Sequence, residues 1–221
     1  MSKSNKYGYS GVDIPTQAFK SNVGKFDPAE INELVANDQW TTFGQLELIE
    51  TQTVSSGVAQ VDFTSIQEST YNVHLLTANN VQFASTGISN LGIRFFNSGS
   101  IDTSGYQMAY LRMSASGTVT ETKSTNTTHN RINTYAGGVS DNADGSVGGY
   151  SYFYNLGDST KYSFHTMQST FINYDGNFAS NFGSGTNKET SVVDGIRLFD
   201  SSGGKNIVSG TFSLYGIKEY S

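Results

Sequence analysis

The distribution of apolar and polar residues divides the chain into a short first part and a long second part. From Phe43 onward apolar residues recur at every second position, for example in QLELIETQ, GGYSYFYN and SGTFSLYGIK. This alternation is typical of β-strands with one buried face. Between these segments lie clusters such as NSGSIDTSG and DSSGGKN, which favour turns. The pattern predicts about nine or ten short strands.

Short strands without intervening helices fold into an antiparallel sandwich or barrel. We therefore predict an all-β protein, with an antiparallel jelly-roll-like sandwich over residues 43–221. The strand SGTFSLYGIK (209–218) alternates regularly near the end of the sequence. We expect it to pair with the first strand of the sandwich, QLELIE, because that pairing covers an edge that could otherwise nucleate aggregation.

The first part, residues 1–42, is predicted to be an N-terminal anchoring arm followed by one helix. Residues 1–22 show no apolar period and indicate an extended segment. The segment FDPAEINELVANDQW (26–40) predicts a helix of about three turns, because Asp27 is a good N-cap and Pro28 suits the first helical position. A helix this short needs a neighbour to cover its apolar face.

One stretch breaks the strand spacing. Residues 114–149 contain few large apolar side chains. A structureless loop of that length is unusual inside a compact domain, so we expect one or two weak polar strands and a long excursion. This stretch and residues 173–189 are the predicted places of sequence variation or external contact.

Composition and charge exclude several classes of site. The chain has no cysteine, which excludes a disulfide scaffold, a Cys-ligated zinc site and a Cys nucleophile. Its net charge is −6 and its 13 Lys and Arg residues are scattered, so we expect no nucleic-acid partner. No apolar run approaches the length of a membrane span, and the N-terminus lacks the apolar core of a signal peptide. We expect no membrane insertion and synthesis in a cytoplasm without export by an ordinary signal peptide.

The histidines and the turn DNADG (141–145) are weak candidates for metal chemistry. His74, His129 and His165 are far apart in the sequence and form no local pair. The pattern predicts surface or interface histidines and no metal site. DNADG lacks the alternating ligands and the distal Glu of an EF-hand calcium loop, which favours an ordinary Asn/Asp/Gly turn.

Asp194 is the acidic residue whose position is least ordinary. In SVVDGIRLF it shares a predicted strand face with Val192 and Ile196, and Gly195 after it is typical of a β-bulge that re-aims a side chain. A carboxylate on an apolar face is a candidate catalytic acid, as in a polysaccharide depolymerase. The other acidic residues fall in turns, caps or outward positions. We therefore predict no catalytic residues, no cofactor and no enzymatic activity.

A row of tyrosines is the strongest candidate for binding. Tyr150, Tyr152 and Tyr154 alternate with Ser151 and Phe153, so three phenol rings are predicted to line one face of a strand. Tyrosine combines apolar area with a polar tip, which suits a subunit contact and also the binding of sugar rings. Ordinary cross-strand packing is the third interpretation.

Both ends of the sequence resemble virion structural proteins of tailed bacteriophages, especially marine ones. The final part, DGIRLFDSSGGKNIVSG followed by SGTFSLYGIK, is similar to their last strand pair. The first part, YGYSGVDIPTQAF followed by a short helix and WTTFGQLELIE, is similar to their beginning. The resemblance covers about half of the chain, and residues 99–189 carry no matching motif.

The resemblance implies a structural component of the virion: a tail or neck fibre, or a capsid decoration protein, assembled in the host cytoplasm. Its partners would be other virion proteins and further copies of itself, and we predict a trimer. Host attachment would give it a surface glycan as a ligand, and a carbohydrate-binding sandwich is the alternative function. The predicted particle-anchoring residues are aromatic or apolar residues of the first part: Tyr7, Tyr9, Ile14, Pro15, Phe19, Phe26 and Ile31.

Overall fold

The computed structural model describes residues 28–36, 45–84, 88–134, 138–140 and 145–219. The chain separates into two compact units, Met1–Gly44 and Gln45–Ser221. In the first unit, the helix α1 spans Pro28–Ala36, so a helix begins at the predicted Pro28. Its Ile31 is half-buried. No helix in the described ranges is long and apolar enough to cross a membrane.

The second unit is an antiparallel, jelly-roll-like β-sandwich, which confirms the predicted fold class. One sheet has eight strands in the order β1-β13-β3-β9-β10-β11-β6-β7, and the other has the order β2-β12-β4-β5, with β8 beside β4. The strands are β1 Leu46–Val54, β2 Gln60–Phe63, β3 Val73–Phe83, β4 Leu91–Asn97, β5 Ser100–Ile101, β6 Tyr106–Ser114, β7 Val119–Thr127, β8 Asn130–Arg131, β9 Val147–Tyr154, β10 Ser163–Ile172, β11 Phe178–Asn187, β12 Val193–Asp200 and β13 Ile207–Ile217.

The core lies between the inner faces of the two sheets. Its largest fully buried apolar side chains come from both sheets and from the loops that join them: Phe63, Ile66, Leu76, Leu91, Ile93, Phe95, Tyr106, Ile132, Phe153, Leu156, Ile196 and Phe212. Burial of one such side chain contributes roughly 1.5–3 kcal/mol. The buried positions of these strands therefore recur with the period of two that the sequence shows.

The last strand closes the sandwich as the sequence predicts. β13 pairs with β1 along its length, from Leu46 opposite Ile217 to Val54 opposite Gly210. Gly216 is required in this strand, because a Cβ there would lie 2.3 Å from the ring of Tyr71. β1 is thus the edge of the larger sheet, and β13 is protected on both sides.

The two stretches predicted as places of variation or external contact differ in their structure. Residues 114–149 contain the polar strand β7 and the short β8, as expected. Residues 173–189 are not mainly a loop, because β11 occupies most of them between β10 and β6. The strand was missed because Gly183 and Gly185 resemble turn residues. They are there for close packing: a Cβ on Gly183 would lie 2.5 Å from the Ala109 carbonyl oxygen, and one on Gly185 would lie 2.6 Å from His165 Nε2.

Candidate interaction surface

The tyrosine row lies on the outer face of the eight-stranded sheet. Ser151 and Phe153 are fully buried on the inner face, whereas Tyr150 is 39% exposed and the other two tyrosines are half-buried. The rings of Tyr150 and Tyr152 meet edge to face, with centroids 5.8 Å apart. The predicted alternation of β9 is therefore present, and it places the three phenol groups on the side away from the core.

Polar groups of β10 hold the tyrosines in place. The Tyr150 hydroxyl donates to Gln168 Oε1 at 2.9 Å, and the Tyr154 hydroxyl lies 3.4 Å from Thr166 Oγ1. Gln168 faces Tyr150 and Thr166 faces Tyr152 across the β9–β10 pair. The rings are thus ordered before any ligand binds, and ordering in advance lowers the entropic cost of binding.

The apolar surface continues across the sheet beyond the tyrosines. The large side chains on this face that are at least 39% exposed come from six of the eight strands: Leu46 and Leu48 in β1, Tyr150 in β9, Phe164 in β10, Phe178 and Phe182 in β11, Met113 in β6, and Val119 in β7. We call this surface the outer aromatic face. A shallow groove of about 930 Å³ crosses it between β7 and β10, beside Phe164, Thr166, Ser184 and Lys123.

The outer aromatic face is almost uncharged. Among its strand residues, all of which are described, only Glu121 and Lys123 carry charge, and they pair with each other at 3.0 Å. Both lie on the edge strand β7, with side chains 68% and 78% exposed. The remaining polar positions are neutral, such as Gln168 and Thr166. The net charge of −6 therefore resides elsewhere on the molecule.

The outer face of the five-stranded sheet is built differently. Arg197 makes two hydrogen bonds to Asp62, at 2.7 and 2.6 Å, and its guanidinium lies 5.1 Å from the centre of the Phe96 ring. Arg94, directly opposite Arg197, lies 4.5 Å above the Phe199 ring. Here charged side chains cover the aromatic rings, and cation–π contacts of this kind are stabilising.

The prediction of surface or interface histidines is wrong, because all three side chains are buried. His165 is fully buried behind the tyrosine row, where its ring stacks on Phe153 with centroids 5.9 Å apart. Burial lowers the pKa of His165 to about 3. Its Nδ1 lies 3.1 Å from Ser151 Oγ, but both residues are fully buried. This serine–histidine pair cannot reach a substrate and is structural.

The other two histidines are also structural. His74 Nε2 lies 2.8 Å from the Ile66 carbonyl oxygen, which indicates that this nitrogen carries the proton, and burial lowers the pKa of the ring. His129 packs edge-on against Phe199. Burial, followed by the nearby charges of Arg131 and Arg94, lowers the pKa of His129 to about 4. No group of three metal-binding side chains occurs in the described ranges.

The sequence did contain a signal for the position of His165. In KYSFHTMQSTFI, His165 has the same parity as Met167 and Phe171, which are buried in the core. Phe164 is apolar but lies on the outer face of the sheet, where it is 43% exposed. Because the apolar Phe164 and the apolar pair Met167 and Phe171 have opposite parity, the sequence alone does not settle which set faces the core.

The β-bulge expected at Asp194 is present. The register of β12 against β4 shifts between Val193 and Gly195. The bulge turns Asp194 toward the β4–β5 turn, where its Oδ2 accepts a hydrogen bond from the Gly99 amide at 2.8 Å. The carboxylate thus holds a tight turn, in which Gly99 has a positive φ of 73°.

The predicted anchoring residues are mostly outside the described ranges. This applies to Tyr7, Tyr9, Ile14, Pro15, Phe19 and Phe26, as well as to Asp27 and most of the DNADG turn. Of the anchoring set only Ile31 is described, in α1. Their role stays a prediction.

Comparison of the chain with protein-family models, with curated proteins and with solved structures gives no match. The resemblance of the two ends to phage virion proteins therefore stays an expectation from the sequence.

Proposed function

We propose that the chain is a structural component of a bacteriophage particle, either a surface appendage such as a tail or neck fibre or a capsid decoration protein. The N-terminal residues dock on other virion proteins, and the β-sandwich is displayed. The protein acts as a homo-oligomer, with a trimer as the starting expectation. Its site of action is the virion, and no catalytic step is part of the proposal.

The observation that carries the proposal is the way in which the sandwich is attached. The chain enters it at Gln45 and leaves β13 at Lys218, and the Lys218 amide donates to the Gln45 carbonyl oxygen at 2.8 Å. The Lys218 ammonium also binds Glu47 Oε1 at 3.0 Å. Entry and exit of the chain therefore lie at one corner of the sandwich, an arrangement that suits a domain displayed from a single point of attachment.

The sequence supports the same division of roles. Residues 1–22 contain aromatic and apolar residues without a period that could form a core. A segment of this kind gains order by docking on a larger surface. The resemblance of both ends of the sequence to phage virion proteins supports a virion as that surface.

The experiment is an incorporation assay with intact particles. We expect deletion of residues 1–22 to abolish incorporation and to leave the thermal unfolding of the sandwich unchanged, since every strand in the described ranges lies after residue 45. The matched control is Tyr174→Ala in the full chain, which removes a 55% exposed aromatic ring outside the arm and should incorporate normally. Incorporation of the truncated chain at the level of the full chain would refute the anchoring role.

A second candidate function, recognition of a host surface glycan, is favoured by the ordered tyrosine row. Aromatic rings beside an amide such as Gln168 can stack on a sugar and bind its hydroxyl groups. We expect Tyr152→Ala to remove binding to a glycan array, and Tyr174→Ala to retain it. Absence of binding by the wild-type chain across broad arrays would argue against this candidate.

A further inference from the structure

The outer aromatic face is the largest feature of the molecule that the proposed particle role does not use. It extends from Leu48 on β1 to Val119 on β7, the two edge strands of the eight-stranded sheet. Among the described elements of the second unit none covers it, and the five-stranded sheet packs on the opposite side of the eight-stranded sheet. Extended apolar patches on soluble proteins mark interaction sites.

The geometry points to a second copy of this chain as the partner that covers the outer aromatic face, with the same face of each copy in contact. This inference does not depend on docking to a particle, and it replaces the trimer taken above as the starting expectation with a two-fold dimer. The argument rests on area, charge and shape.

The available area is sufficient for a stable dimer. Eight strands of 8 to 11 residues, at ~4.8 Å between strands and ~3.3 Å per residue, give a face of roughly 1,100 Å². A standard specific interface buries about 800 Å² on each partner. A sugar ring stacked on the tyrosines would leave Leu48 and Val119 bare, because these edge residues are separated by roughly the width of seven strand spacings, ~34 Å.

Charge favours a second copy over other partners. A molecule with net charge −6 repels its own copies at most surfaces. On the outer aromatic face this repulsion is minimal, because its two charges, Glu121 and Lys123, cancel each other. Depletion of charge together with enrichment in aromatic residues is the composition of interface cores.

The shape of the face fits a second sheet. Aromatic and small polar residues alternate along it, for example Phe182 between Ser180 and Ser184 on β11. Two sheet faces of this kind interdigitate at a separation of about 10 Å. Pairing of identical faces places the two-fold axis near the middle strands β9 and β10, close to Thr166.

Sedimentation of the full chain over a range of concentrations tests the inference. We expect the wild type to form dimers that dissociate on dilution. Phe182→Glu places a charge at a 45% exposed position on the face and should raise the dissociation constant at least about 30-fold, the loss expected for a central aromatic contact. The matched control is Ile88→Glu, at a 46% exposed position in the β3–β4 connection, which should leave association unchanged.

A second variant keeps the test independent of the loss of Phe182. Thr166→Arg keeps the apolar residues and adds charge and bulk at the centre of the face, so it should also yield monomers, with circular dichroism unchanged. The inference is overturned if the wild type is monomeric at all concentrations, if both variants associate as the wild type does, or if the measured mass is that of a trimer.

Cross-linking tests the two-fold arrangement directly. Because the chain contains no cysteine, Thr166→Cys introduces a single thiol near the proposed axis. We expect mild oxidation to give a disulfide-linked dimer of Thr166→Cys at concentrations where the wild type is dimeric. Ser56→Cys, in the exposed β1–β2 connection, should form no disulfide-linked dimer under the same oxidation. Equal cross-linking of the two variants would overturn the arrangement.

Discussion

The outer faces of the two sheets differ in how their aromatic side chains are covered. Both carry aromatic side chains on the side away from the core. On the five-stranded sheet, Arg94 and Arg197 cover Phe199 and Phe96, and Asp62 balances one of the two charges. On the outer face of the eight-stranded sheet, rings such as Phe182 stay open, and the ion pair of Glu121 and Lys123 lies on the edge strand β7.

The difference shows that apolar residues on an outer face can have two roles: they can stabilise the single chain, or they can serve association with a partner. An arginine cover contributes to the stability of the single chain, because the guanidinium gains ring contacts and hydrogen bonds within it. Rings on an open face gain less from the single chain, and on the inference above a second copy covers them. Substitutions should therefore affect stability on the small sheet and association on the large one.

The largest loss of stability is expected in acid, because the buried histidines behind and beside these two faces then become protonated. The folded-state pKa of His165, about 3, lies far below the ordinary value of 6.5. The unfolded chain therefore binds more protons in acid, so the stability that depends on neutral His165 is complete above pH 6.5 and falls as the pH drops toward 3. At pH 4 the expected loss is about 3 kcal/mol relative to pH 8.

Urea unfolding at a series of pH values measures this loss. The variant His165→Gln should reduce the slope of stability against pH by about one proton between pH 6 and pH 4. His129→Gln, on the arginine-covered side, should reduce it in the same direction, because the pKa of His129 is also lowered, to about 4. A slope that stays unchanged in His165→Gln would contradict the assignment of a neutral buried ring.

The next effect is expected at the ion pair of the small sheet. Arg197→Ala removes both hydrogen bonds to Asp62 and uncovers Phe96, and we expect a loss of about 2 kcal/mol in the free energy of unfolding. The double variant with Asp62→Ala measures the coupling between the two side chains. A coupling near zero would show that the pair does not stabilise the sheet.

A smaller effect separates the aromatic rings of the two faces. Phe199→Ala should cost about 1–2 kcal/mol, since the ring contacts both Arg94 and His129. Phe164→Ala, at a 43% exposed position, should stay within about 0.5 kcal/mol of the wild type when unfolding is measured at a concentration that keeps the chain monomeric. Equal losses for the two variants would remove the distinction drawn between the faces.

The smallest effect is expected at the exposed ion pair of the large sheet. Lys123→Ala removes the contact with Glu121, whose two side chains are 78% and 68% exposed, and solvent screening leaves such pairs with little net stability. We expect no measurable change in unfolding. Association should weaken, because the variant leaves Glu121 as an unbalanced charge on the outer aromatic face.

The sequence by itself determined the fold class, the helix that begins at Pro28 and the closure of the sandwich by β13. These features depend on local periodicity and capping, which can be read directly from one sequence. It also placed Tyr150, Tyr152 and Tyr154 together, because alternate residues of a strand necessarily share a face.

Only the tertiary structure decided which face of each strand meets the core. His165 is buried whereas its neighbour Phe164 is exposed. This difference follows from the register of β10 between β9 and β11. Likewise β11 lies in a stretch that the sequence marked only as a place of variation or external contact, and its glycines pack against Ala109 and His165. A period of two divides the residues of a strand between two faces but does not say which face is buried. The pairing with neighbouring strands, which are distant in sequence, decides that.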